Sequence, residues 1–297
     1  ATAPAEATKR ALSLIHEALG AGGGAELLGA QAEGPYFNPD ARGAQAVEHM
    51  RLPSLDELEE WLCVCPELRL ISLAPEVEGA LEFIPRARQR GLTVSVGHSR
   101  ASYDQVIAAV GVGLSHATHT FNGMLGLHHR APGTVGAILT CNEITAEAIV
   151  DNIHLHPATV DLVVRCKGSD RVCLVTDAIS AAGLPDGQHT WDGRPVTVTD
   201  GAVRLEDGTI AGSTLTMDRA VRNVMAAAGL TVAQAVRMAS LNPAVSIGVD
   251  SHKGSLACGK NADVVVLSPD LEPELTMVRG RVVYRRQEGQ SASRWQL

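Results

Sequence analysis

Hydrophobic and polar positions along this chain alternate between two periods. The first stretch is helical: over residues 5–19, Ala11, Leu12, Ile15 and Leu19 fall on one face, and Gly22-Gly23-Gly24 stops the pattern. Short apolar runs then alternate with amphipathic stretches. The runs predict strands at 26–32, 68–73, 92–96, 112–117, 144–150 and 171–176, and the stretches predict helices at 54–65, 78–90, 103–110, 133–141 and 157–166. Near-continuous apolar strands separated by helices mean a parallel sheet covered on both faces. From about residue 190 the pattern changes. Residues 196–199 and 202–205 alternate around Asp200-Gly201, a hairpin signal. Helices return at 217–228 and 232–239, and the tail turns to strands at 262–267, 275–278 and 281–284.

The alternation fits either a doubly wound α/β sheet or a (β/α)8 TIM-type barrel. No GxGxxG follows a strand, and polar residues sit at many strand ends rather than at one switch point, which favours the barrel. Six predicted strands leave an eight-stranded barrel two short. The expectation is therefore a barrel whose first strands precede residue 1, in a chain that opens on Ala1-Thr2-Ala3-Pro4 without an initiator methionine. The expected organisation is a catalytic barrel domain over 1–250, with a β-hairpin insertion near 190–209. Residues 251–297 would then be the C-terminal part of a small β-sandwich domain.

With 297 residues, 45% of them hydrophobic, the chain can bury a large core. A net charge of −8 and the absence of any Lys/Arg-rich run argue against a nucleic-acid binder, and 3% aromatic residues argue against base stacking. An anionic substrate stays open, because a few local cations suffice for one. Cys63, Cys65, Cys141, Cys166, Cys173 and Cys258 form no CxxC pair, as expected for buried thiols in the reducing cytoplasm. No run approaches the ~18 apolar residues of a membrane span, and no signal segment opens the chain.

The chemistry gathers at strand ends. Ser95-Val96-Gly97-His98-Ser99 and the run from Ser115 to Met124 each read as a short strand ending on a histidine, His98 and His119. Glu33-Gly34-Pro35 carries a carboxylate at an earlier strand end, and Asp177 ends the run 171–176. Imidazoles and carboxylates at the carboxyl ends of several strands point to a hydrolytic metal site at the top of a barrel. Taken singly, Glu33 reads first as a turn residue and His98 as a satisfied strand-end histidine, whereas a cap is only the lesser reading of Asp177. Strand alternation directs His116 away from His119, so it is read as structural.

Seven motifs taken together resemble a known family. They are Glu33-Gly34-Pro35-Tyr36-Phe37-Asn38-Pro39, Gly97-His98-Ser99, the run from Ala117 to Met124, His128-His129-Arg130-Ala131-Pro132-Gly133, the run from Asp151 to Pro157, Val175-Thr176-Asp177-Ala178 and Ala211-Gly212-Ser213. This set is similar to the N-acetylglucosamine-6-phosphate deacetylases of the metal-dependent amidohydrolase superfamily. The resemblance implies that Glu33, His98 and His119 ligate one divalent metal ion per subunit, zinc first, with iron, manganese or cobalt as alternatives. A Glu with two His and an open position is a recognised catalytic zinc set. It implies that Asp177 is the general base and acid, Asn122 and Gly123 contact the sugar phosphate, and Arg130 binds the phosphate through its bidentate fork. It implies that Ala44 and Gln45 face the substrate, that Ile210, Ala211 and Gly212 line the sugar site, and that His154 reaches the phosphate of a neighbouring subunit in a homodimer. Read alone, the His-x-His of 154–156 also suits a metal. Two departures stand out: Gln45 occupies a position where some members carry histidine, and Gln31-Ala32 precedes the Glu-Gly-Pro where the family commonly reads His-Leu.

The expected activity is cytoplasmic hydrolysis of N-acetyl-D-glucosamine 6-phosphate to D-glucosamine 6-phosphate and acetate, with no nucleic-acid or membrane partner. Two alternatives stand beside it: a deacetylase of another amino-sugar phosphate, such as N-acetylgalactosamine 6-phosphate, and a non-catalytic sugar-phosphate-binding homologue.

Overall fold

The computed structural model describes residues 1–287, which form two compact units; the last ten residues of the expected 251–297 segment lie outside the described ones. One unit holds residues 1–20, 27–148 and 162–173, and the other holds 21–26, 149–161 and the chain from 174 onward.

In the first unit, α1 (Ala5–Ala18) precedes a regular alternation: β1 (Ala30–Glu33), α2 (Leu55–Val64), β2 (Leu68–Leu73), α3 (Ala80–Gln89), β3 (Thr93–Val96), α4 (Tyr103–Gly111), β4 (His116–Ala117), α5 (Gly133–Thr140), β5 (Thr145–Ile149), α6 (Pro157–Lys167) and β6 (Val172–Val175). The chain crosses to the second unit within β5, α6 and β6. The strands form one sheet in the order β1-β2-β3-β4-β5-β6, and the pairs from β1–β2 to β4–β5 are parallel. A doubly wound sheet reverses its strand order at a switch point; this order never reverses.

Helix starts follow local chemistry. Ser54 Oγ accepts the Glu57 N–H at the head of α2, and Ser102 with Gln105 forms a capping box on α4. Each cap is worth about 1 kcal/mol. Leu70, Ile71 and Leu73 of β2 and Val94 and Val96 of β3 are fully or nearly fully buried, as a strand covered on both faces requires. Tyr36, just after β1, stacks on Trp61 of α2 and meets Phe83 of α3 edge-on, with centroids 5.8 and 5.3 Å away. Its hydroxyl donates to Glu57 Oε2 at 2.7 Å. The loop that follows Glu33 is thereby pinned beneath two helices.

In the second unit, β7 (Gly187–Trp191), β8 (Arg194–Thr199), β9 (Ala202–Leu205) and β10 (Ile210–Ser213) form an antiparallel sheet in the order β10-β9-β8-β7. After α7 (Met217–Ala228), α8 (Val232–Ala239) and α9 (Leu241–Ser246) comes a three-stranded antiparallel sheet, β11 (Val264–Leu267), β12 (Pro273–Val278) and β13 (Arg281–Arg285). Lys253 Nζ donates to Glu26 and to Asp263, and Arg279 also pairs with Glu26. This cluster ties residues 21–26 to the tail sheet.

Three expectations need correction. The strand expected at 112–117 is only His116–Ala117, because α4 runs to Gly111, Val112 caps it and Gly113 turns the chain at φ +121°. The strand expected at 26–32 is Ala30–Glu33. Backbone crowding sets its start: a Cβ on Gly29 would lie 2.0 Å from the Glu67 carbonyl oxygen. The hairpin expected around Asp200-Gly201 is present as β8 and β9, but it is the centre of a four-stranded sheet rather than a lone pair. Its outer strands escape notice because Gly187–Trp191 is largely polar and Ile210–Ser213 consists mostly of small residues. No helix among the described residues is long and apolar enough to cross a membrane.

Candidate metal centre

Glu33 is the last residue of β1, His98 lies two residues past β3 and His119 two past β4. Their ligand atoms lie within 4.8 Å of one another. Nε2 of His98 and Nε2 of His119 each stand 3.0 Å from the same oxygen, Oε1 of Glu33. Burial alone would push the Glu33 carboxyl up, but the His119 and His98 imidazoles on its oxygen hold it well below the ordinary carboxylate range. Donors that each bind an ion at about 2.0–2.2 Å must converge in this way, and two imidazoles with one carboxylate are the ligand types of a catalytic zinc site with an open position. The set fits a divalent metal.

Orientation comes from the surroundings. His98 Nδ1 is 2.9 Å from the Ala41 carbonyl, which can only accept, so Nδ1 carries the proton and Nε2 is the ligating nitrogen. The ring is wedged between two glycines. A Cβ on Gly123 would lie 2.8 Å from His98 Nδ1, and one on Gly43 3.3 Å from its Cε1. Glu76, beyond β2, accepts from Asn38 Nδ2 at 3.0 Å, Ser99 Oγ at 2.7 Å and the Arg100 N–H at 2.5 Å. It joins the loop after Glu33 to the turn after His98. Both metal-set histidines have left-handed backbones, His98 at φ +45° and His119 at φ +30°. Such conformations cost about 1–3 kcal/mol in a residue with a Cβ and cluster at functional sites.

Beside this set lie the other expected residues of the first unit. The Asn122 N–H and Nδ2 donate to the His119 carbonyl at 3.0 and 3.2 Å, and Gly123 accepts the Ser99 N–H at 2.9 Å. Ala44 and Gln45 follow Gly43; Gln45 Oε1 accepts the Thr2 N–H at 2.7 Å. Arg130 sits on an exposed turn, where Nη1 donates to His129 Nε2 at 2.7 Å. His116 points away from the metal set and holds Glu147 Oε1 with Nε2 at 2.9 Å.

In the second unit, Asp177 follows β6 with a left-handed backbone, φ +50°. Gly212 of β10 packs against it: a Cβ there would lie 2.9 Å from the Asp177 carbonyl oxygen. The Ser213 N–H donates to that oxygen at 2.9 Å. Ile210, Ala211 and Gly212 thus belong to the strand that seats Asp177. His154 is held by Asp151, whose Oδ2 is 2.6 Å from Nδ1 and whose Oδ1 accepts the backbone N–H of His154 and of Ile153 at 2.8 Å each. Burial works against the Asp151 charge, yet His154 keeps its carboxyl below the usual range. Sequence reasoning missed Asp151, Glu76 and Glu147. Asp-x-x-His is the spacing of a turn in which an aspartate can bond both backbone and imidazole, a usable signal. A lone Glu in the apolar run Thr145–Ile149 was another.

Known proteins resemble this chain in sequence and in fold. The amidohydrolase family pattern matches residues 31–283. The chain is 44% identical to an N-acetylgalactosamine-6-phosphate deacetylase of Escherichia coli O157:H7, over 95% of this chain and 75% of that protein. It is 42% identical to an N-acetylglucosamine-6-phosphate deacetylase of Vibrio furnissii, over 95% of this chain and 71% of that one. The fold is similar to that of a mutant N-acetyl-D-glucosamine-6-phosphate deacetylase from Mycobacterium smegmatis, solved in complex with N-acetyl-D-glucosamine-6-phosphate. The TM-score is 0.89 at 35% identity, covering 95% of this chain and 74% of that one. It is also similar to the crystal structure of the Thermotoga maritima N-acetylglucosamine-6-phosphate deacetylase, with a TM-score of 0.88 at 36% identity over 96% of this chain and 77% of the other.

Proposed function

The chain belongs to the amidohydrolase family, and from that premise we propose that it hydrolyses N-acetyl-D-glucosamine 6-phosphate to D-glucosamine 6-phosphate and acetate. The observation that carries this reading is the meeting of His98 and His119 on one oxygen of Glu33. A protein that only bound a sugar phosphate would have no use for such a ligand set. Glu33, His98 and His119 hold one divalent ion, zinc being the first choice for a nitrogen-rich set. When bound, the metal supplies Lewis acidity, polarising the amide carbonyl and lowering the pKa of a water.

This chain's own residues do the rest. Asp177 takes the proton from the attacking water and returns it to the amine nitrogen as the C–N bond breaks. Support comes from the topology, since Glu33, His98, His119 and Asp177 stand at or just past the carboxyl ends of strands of one six-stranded sheet, and from the left-handed backbone that Asp177 shares with both histidines. Gln45 Nε2 donates to the acetyl carbonyl oxygen. Arg130, Asn122 and Gly123 bind the phosphate end, and Ala44 with Ile210, Ala211 and Gly212 lines the sugar. His154 completes the phosphate site of a partner subunit in a homodimer; Asp151 clamps its imidazole through Nδ1, and the doubly protonated ring donates Nε2–H to an anion. We read the six parallel strands as a segment of a (β/α)8 barrel, the tail sheet as part of a small β-sandwich domain, and the cytoplasm as the compartment.

A second substrate reading has its own support. The E. coli O157:H7 relative, at 44% identity, is a deacetylase of the galactosamine epimer. Acetate release by the purified, zinc-loaded full-length protein decides between them. We expect the glucosamine phosphate to be the better substrate. A higher kcat/KM on N-acetylgalactosamine 6-phosphate would reassign the epimer, and no acetate from either would overturn the activity.

A further inference from the structure

Glu147 is a buried carboxylate in the middle of β5, between Ala146 and Ala148. A charge in that position needs partners, and two of its side-chain hydrogen bonds go to the segment that carries His119. Oε1 meets Nε2 of buried His116, on β4, at 2.9 Å. Oε2 accepts the backbone N–H of His119 at 3.1 Å. The carbonyl of Glu147 accepts the next N–H, that of Thr120, at 2.9 Å. Strand β4 ends at Ala117, so the chain past it has left the regular ladder. The carboxylate takes over there, at a residue whose φ of +30° is one that side-chain-bearing residues rarely adopt.

We infer that Glu147 is a positioning residue for the metal centre: with His116 as its counterpart, it clamps the His119 backbone in the left-handed turn that brings Nε2 onto Glu33. The inference rests on the ligand set proposed above and gives His116, otherwise a bystander, its task. The side chain of Glu147 reaches His119 through the backbone, so its loss leaves all three ligands in place while releasing the geometry of one. Partners of this second rank typically alter metal affinity by about 10–100-fold.

The test is a zinc titration against a chromophoric chelator, with thermal melting of the metal-free proteins alongside. Wild type, Glu147→Ala, Glu147→Gln and His98→Ala are compared. Glu147→Ala is expected to bind zinc about 10–100-fold more weakly. Glu147→Gln, which keeps an oxygen for the His119 N–H, should recover most of that loss. A purely structural role would lower the melting temperature of the metal-free protein and leave the zinc affinity of the folded fraction unchanged. Wild-type zinc affinity in Glu147→Ala, with binding abolished in His98→Ala, overturns the positioning role alone. Zinc binding that survives His98→Ala overturns the ligand set, and this inference with it. Should Glu147→Ala fail to fold, Glu147→Asp decides: it keeps the charge but withdraws it by one methylene, so weakened zinc binding supports the inference and wild-type affinity overturns it.

Discussion

The rings of His98 and His119 stand edge to face, 4.9 Å between centroids and 86° between planes. Two imidazoles so disposed can aim their Nε2 lone pairs at one point from perpendicular planes, which parallel stacking would forbid. Behind the His98 ring lie the Ala41 carbonyl and Gly123, and at His119 the backbone N–H is held by Glu147.

If these rings ligate a metal, His119→Ala removes one of three donors. Elemental analysis of the purified variant should find its metal content far below that of wild type, with activity lost in parallel. Full metal content with normal turnover would exclude His119 from the site.

Asp177→Asn keeps the shape of the side chain and removes its basicity. Turnover should fall by about 10²–10⁴-fold, the usual contribution of general acid–base catalysis, while KM changes little. Steady-state kinetics on the sugar phosphate provides the check, and a near-normal kcat would assign the proton to another group.

Arg130 is the expected phosphate clamp, and losing a charge-assisted contact costs about 1.5–3 kcal/mol. Arg130→Ala should lose kcat/KM on N-acetylglucosamine 6-phosphate and little on N-acetylglucosamine itself. An unchanged preference for the phosphorylated sugar would remove Arg130 from the phosphate site.

For His154, the expectation is complementation. Mixing inactive His154→Ala and Asp177→Asn subunits should restore activity, because one composite site in a mixed dimer regains both groups. Subunit exchange without restored activity would return His154 to its own subunit's site or to none.

Stability should depend on pH through Lys253. Burial opposes every charge in its cluster, yet Lys253 holds the Glu26 and Asp263 carboxyls below their ordinary values, and they hold Lys253 above its own. Depressed carboxylates stabilise above their unfolded pKa, near 4, and that contribution disappears as pH falls through the lower folded values. The raised lysine stabilises below its unfolded pKa, about 10.4, and loses its effect as pH rises past the folded value. Lys253→Met should therefore lower the melting temperature between about pH 5 and 9, and the gap to wild type should close toward pH 3. A gap independent of pH would mean that packing, not charge, explains Lys253.

Much of this protein was legible in its sequence because the signals are local. Near-continuous apolar runs and helical faces located β2, α7 and α8 to the residue, since burial on both faces of a strand or along one stripe of a helix writes itself into neighbouring positions. The Glu-Gly-Pro and Gly-His-Ser motifs singled out Glu33 and His98 in the same way. Strands of small or polar residues, such as Ile210–Ser213, carry no such imprint; they exist because a neighbouring strand supplies their hydrogen bonds.

What only the tertiary structure decided is which groups meet. Glu33, His98 and His119 are far apart along the chain, and nothing in their spacing states that both Nε2 atoms reach the same carboxylate oxygen; parallel register across β1 to β4 brings them there. The partners of the supporting carboxylates were hidden for the same reason. Glu76, Glu147 and Asp151 are ordinary acidic residues until the fold sets them against a turn, a backbone N–H or an imidazole. A hydrogen bond depends on distances of a few tenths of an ångström, and distances between remote residues exist only once the chain has packed.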